Sequence, residues 1–109
     1  MVSSNHHFEK GENLKISFQK PYHQFTRCKT FSSIGNYRKF LNWVSGEFDL
    51  NLQEESDNLK VFFPHKRLSI SRINFDDKNI CADIHIEAKV LNEGFKLMNN
   101  VEVIYKSLE

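Results

Sequence analysis

A chain of 109 residues with 39% hydrophobic and 27% charged side chains is long enough for one core and too apolar for a disordered polymer. Fifteen Lys and Arg stand against fourteen Asp and Glu, a net charge of +1, which argues against a histone-like, generally DNA-coating protein. No uninterrupted apolar run exceeds three residues, as in Val61-Phe62-Phe63, whereas a membrane-crossing helix needs about 20. The start, Met1 to Lys10, lacks the apolar run of a signal peptide, so a soluble, cytoplasmic protein is expected.

Residues 1–13 show no periodicity and read as a flexible N-terminal arm, with one globular domain over 14–107. Leu14, Ile16 and Phe18 alternate with polar residues, which predicts a half-buried strand ended by Pro21. Residues 24–31 are rich in strand formers, but Arg27 and Lys29 share a face with Phe25 and Phe31. An edge strand is expected there, its opening blunted by the two cations.

Residues 33–45 predict an amphipathic helix, with Ile34, Tyr37, Phe40, Leu41 and Val44 on one face. Ser32 or Ser33 can cap its start, and Gly46 stands where a left-handed turn would end it. The period then changes to two: Phe48, Leu50 and Leu52 alternate with polar residues, and Glu54 to Asn58 reads as a turn. Leu59, Val61 and Phe63 predict the next strand, which Pro64 stops.

Leu68 and Ile70 alternate, and Ile73 and Phe75 follow on the opposite parity, so a bulge is expected near Ser71-Arg72. Asp76 to Asn79 reads as a hairpin turn. Ala82, Ile84, Ile86, Ala88 and Val90 form the clearest strand face in the chain, with Cys81, Asp83, His85, Glu87 and Lys89 on the other. Asn92-Glu93-Gly94 reads as a turn, residues 95–98 fit a strand or a helical turn, and Val101, Val103 and Tyr105 read as a central strand. The expected class is α+β: a mainly antiparallel, curved sheet of about six to seven strands packed against one amphipathic helix, about residues 33–45.

Charge is zoned along the chain. Residues 1–45 carry a net +5, residues 46–59 a net −5, residues 60–78 a net +3 and residues 79–109 a net −2. The acidic zone, Glu47, Asp49, Glu54, Glu55 and Asp57, is a candidate protein-binding ridge whose natural counterpart is a basic surface, such as the phosphate-binding cleft of a nuclease. The basic and aromatic stretch contributes Lys20, Tyr22, Arg27, Lys29, Arg38, Lys39 and Trp43 as candidates for binding single-stranded nucleic acid, where cations meet phosphates and aromatics stack on bases.

Asp83, His85 and Glu87, two apart on one strand face, have the residue types for acid–base or metal chemistry, but no second ligand cluster accompanies them and no metal or other cofactor is expected. The two cysteines, Cys28 and Cys81, are 53 positions apart without a redox or metal motif and read as buried, reduced thiols. Glycine-rich phosphate loops, nucleophile elbows and zinc-protease motifs are absent from the sequence.

The leading expectation is therefore a small non-catalytic protein that inhibits or neutralises a protein partner by occluding a basic site. Size and charge make it analogous to bacterial immunity proteins and phage-encoded inhibitors. The alternatives are a single-stranded nucleic-acid binder and a small-molecule enzyme with a pocket in the curved sheet near Asp83, His85 or Glu87.

Overall fold

The computed structural model describes residues 14–73 and 79–108. The expected N-terminal arm, Phe75 and most of the expected hairpin turn at Asp76–Asn79 lie outside them. Among the described residues six strands run in chain order: β1 (Lys15–Gln19), β2 (Tyr22–Phe31), β3 (Leu52–Glu55), β4 (Leu59–Phe63), β5 (Lys66–Arg72) and β6 (Ile80–Ala88). Helix α1 (Ile34–Glu47) lies between β2 and β3, and helix α2 (Leu91–Lys106) follows β6. The strands form one sheet in the order β1-β2-β6-β5-β4-β3, with every neighbouring pair antiparallel. This is the expected α+β class, with a second helix added.

Period-two burial fixes which face the helices cover. Ile80, Ala82, Ile84, Ile86 and Ala88 of β6 are buried, and register sets them beside Phe25 and Phe31 of β2 and Leu68 and Ile70 of β5. Leu59 and Val61 of β4 continue the same face. Both helices lie on it: Tyr37, Phe40, Leu41 and Val44 of α1 join Leu97, Met98 and Val101 of α2 in one core. Phe31 is the aromatic centre, within ring-contact distance of Tyr37, Phe40 and Tyr105. Among the described residues the opposite face carries no helix; it holds the alternate residues of each strand, mostly polar, with Leu52 and Phe62 among them.

Helix α1 begins as expected: the Ser33 hydroxyl accepts the Asn36 N–H at 3.1 Å. It ends later than expected. Gly46 is helical rather than a left-handed stop, and Phe48 closes the helix through its N–H to the Val44 carbonyl. Gln53 of β3 takes over the capping, donating from Nε2 to the carbonyls of Ser45 and Phe48 and accepting from the Ser45 hydroxyl. Because a Cβ at Gly46 would meet nothing within 4 Å, Gly46→Ala is expected to stabilise the protein by about 0.5–1 kcal/mol, measured by urea unfolding.

Several local expectations are corrected. The strand after Gly46 is only Leu52–Glu55; Phe48 packs against Phe63, and Leu50 stands 98% exposed in the connecting turn. Glu54 and Glu55 belong to β3, leaving Ser56–Asn58 as the turn. The β5–β6 register runs unbroken from Lys66 opposite Ala88 to Arg72 opposite Ala82, so no bulge forms. Ile73 donates its N–H to the Cys81 carbonyl and is half exposed, which accounts for its odd parity.

The largest corrections concern β2 and the C-terminal segment. β2 is an internal strand between β1 and β6, and β1 is the edge. Residues 91–106 form α2, not a turn followed by a central strand. Gly94, Leu97, Met98 and Val101 bury one helical stripe, whereas Val103 is 64% exposed. Gly94 is a packing residue in the first turn: a Cβ there would lie 2.0 Å from Cε1 of the buried Phe25.

Candidate functional site

Arg27 and Lys29 point from β2 towards α2, into the covered side of the sheet. They are 3% and 6% exposed, and both bind Glu102 of α2: Arg27 Nη1 to Oε1 at 2.5 Å and Lys29 Nζ to Oε2 at 2.6 Å. Lys29 Nζ also lies 4.6 Å from the Tyr105 ring centroid. Ala82, opposite Lys29 on β6, is small and takes little room beside the long cationic stem. Burial acts to raise the Glu102 pKa, but hydrogen bonds from Lys29 and Arg27, with their charges, hold it below the usual range.

That cluster removes two cations from the proposed nucleic-acid surface. The remaining members divide between two elements. Arg38, Lys39 and Trp43 lie on the outer face of α1, with Lys39 Nζ 4.7 Å from the Trp43 ring centroid. Lys20 and Tyr22 belong to the β1–β2 hairpin at the edge of the sheet, where Lys89 Nζ is 6.0 Å from the Tyr22 ring centroid.

Asp83, His85 and Glu87 do share the uncovered face, as the period-two pattern predicts. His85 and Glu87 each bind a cross-strand neighbour. Thr26 Oγ1 and His85 Nδ1 share a hydrogen bond of 3.0 Å, Arg67 binds Glu87, and register sets Asp83 between Cys28 and Ser71. Among the described residues no three His, Cys, Asp or Glu side chains converge to hold a metal ion.

The acidic candidates behave differently. Glu47, Asp49, Glu54, Glu55 and Asp57 are all exposed. They follow one another along the chain from the end of α1 through β3 to the β3–β4 turn, at the β3 margin of the sheet, with Glu54 and Glu55 on opposite faces of the strand. Among the described residues β3 pairs only with β4, so its outer backbone groups face outward along that margin. Leu50 and Leu52, 98% and 73% exposed, stand among the acids. Sequence reading found the acids but placed Leu50 and Leu52 in the core; Leu50 instead stands in the turn before β3, and Leu52, opposite Phe62, faces the side of the sheet away from α1, whose end Gln53 caps from the other side.

Two clefts lie elsewhere. One of about 370 Å³ is lined by Thr30, Ser32, Asn36, Asn79 and Tyr105 among others. The other, about 430 Å³, has Phe63, Pro64 and Val90 as walls, and Lys66 and Glu93 bridge its rim at 2.9 Å. Neither contains Asp83, His85 or Glu87. No helix among the described residues is long and apolar enough to cross a membrane. Comparison with protein-family models, curated proteins and solved structures finds no match to this chain.

Proposed function

We propose that this is a non-catalytic binding protein that engages a basic surface of a protein partner through the β3 margin and thereby neutralises it. The observation that carries the reading is the coincidence, on one margin, of an outward-facing strand edge, five exposed carboxylates and two exposed leucines. An edge strand offers main-chain hydrogen bonds to an added strand, and side chains flanking it select the partner. Glu54 and Glu55 make that selection electrostatic. Pairing with a second copy of the same edge would oppose like charges, whereas a basic segment gains attraction at the same positions. Leu50 and Leu52 supply apolar contact area beside the charges.

Nuclease or another phosphate-handling enzyme is the partner class that fits, because such enzymes present cationic clefts. The test is a capture from nuclease-treated native lysate with wild-type protein and with the triple variant Glu54→Lys, Glu55→Lys, Asp57→Lys. Wild type is expected to retain a stoichiometric protein that the variant loses. Once that protein is purified, its association rate with the variant should be about ten- to a hundredfold slower at low salt. Equal capture by both proteins would remove the acidic margin from the account. Capture of nucleic acid alone from untreated lysate would favour the nucleic-acid reading.

A further inference from the structure

Cys28 and Cys81, so far apart in sequence, are neighbours on the uncovered face. Register sets Cys28 opposite Asp83 and Cys81 opposite Thr30, so the two cysteines occupy a diagonal pair on adjacent strands β2 and β6. Both are free thiols, and both are half-buried rather than sealed in the core. Neither helix covers them: their alternates in sequence, Arg27, Lys29, Ala82 and Ile80, take the helix side.

We propose that Cys28 and Cys81 form an oxidation site, closing to an intramolecular disulfide with a low-molecular-weight disulfide such as oxidised glutathione as the oxidant. In the first step the Cys81 thiolate attacks one sulfur of the small disulfide, whose S–S bond breaks. A mixed disulfide forms and one glutathione thiolate leaves. In the second step the Cys28 thiolate attacks the Cys81 sulfur, the Cys28–Cys81 bond forms and the second glutathione leaves. The protein loses two electrons and two protons, and glutathione gains both as two thiols.

The order of attack follows from surroundings. Burial, the neighbouring Cys81 and the Asp83 carboxylate all hold the Cys28 thiol above its ordinary range, which makes it the poorer first nucleophile. Placement on a diagonal also sets the stability of the product. Diagonal neighbours in antiparallel sheets have Cα atoms about 7–8 Å apart, against about 4.4–6.8 Å in most disulfides. Beyond about 7 Å a disulfide closes only if the backbone moves, so the bond requires β2 and β6 to shift locally towards each other; it is therefore strained and should be readily reversed by reduced glutathione.

The experiment is incubation of the folded wild-type protein with oxidised glutathione, followed by intact-mass and peptide mass spectrometry. A mass lower by two hydrogen atoms and a Cys28–Cys81 linked peptide are expected, both reversed by excess reduced glutathione. The variants Cys28→Ser and Cys81→Ser should instead each accumulate a glutathione adduct, sooner on Cys81 than on Cys28. Three wild-type results would overturn the proposal: two stable glutathione adducts, disulfides only between chains, or no reaction in the folded state while both thiols react in denaturant.

Discussion

Replacing Glu102 with Gln is expected to destabilise the protein by about 3 kcal/mol, because the change removes a carboxylate that two buried cations share. Arg27 and Lys29 are almost inaccessible beneath α2, and Glu102 is the carboxylate that both of them bind. Removing one partner from a buried ionic cluster costs much more than removing a surface pair, since the surviving charges keep their desolvation penalty. Converting all three residues to Met should recover most of the loss, because an apolar cluster of similar volume carries no such penalty. Urea unfolding of the single and triple variants measures both effects.

The same cluster sets a pH dependence whose sign is fixed. The carboxyl of Glu102 is held below its ordinary range in the folded protein, while an unfolded Glu titrates near about 4.3. The folded state therefore binds fewer protons, and the stabilisation is complete above the unfolded value and lost as pH falls through the folded one. Wild-type stability should drop more steeply below about pH 4 than that of Glu102→Gln, which has no proton to gain at that position.

Gly94→Ala is the second large effect. An added Cβ would stand 2.0–2.8 Å from three atoms of the Phe25 ring, which is fully buried and packed edge-on against Phe95 at 5.1 Å. The ring has no free space to rotate into, so α2 must lift from β2. Overpacking of this kind costs about 1–3 kcal/mol, and this contact belongs at the upper end. That outweighs the roughly 1 kcal/mol by which Ala exceeds Gly in a helix. Denaturant midpoints for Gly94→Ala should fall while those for Gly46→Ala rise. A stabilised Gly94→Ala would mean that α2 does not pack against Phe25 as described.

These two sites also mark where the sequence was hardest to read. Strand β6 and helix α1 were legible because each has one clean period, two in the first and 3.6 in the second, and burial follows both. Helix α2 was not, although Gly94, Leu97, Met98 and Val101 keep helical spacing. Val101, Val103 and Ile104 are strand-favouring residues, and Gly94 beside Asn92 imitates a turn. Tertiary packing against Phe25 and the two buried cations overrides those local preferences. Arg27 and Lys29 misled for a related reason: cations inside an apolar alternation suggest an edge unless their carboxylate, 75 and 73 positions away, is known.

The candidate surface was legible in part. Five carboxylates within eleven residues announced an acidic ridge. The outward edge of β3, and Leu50 and Leu52 beside the acids, required the strand order. The Cys28–Cys81 pair was not legible, because its proximity depends on the β2–β6 register and on no local motif.

Hydrogen–deuterium exchange of the protein alone and in complex with the captured partner tests the central claim most directly, since amide protection reports where backbone groups become paired. Slowed exchange is expected in residues 52–55, whose outward amides would acquire partners, together with the adjoining turns at 48–51 and 56–58. Protection confined to the outer face of α1 around Arg38, Lys39 and Trp43, or to the Lys20–Tyr22 hairpin, with β3 unchanged, would contradict it.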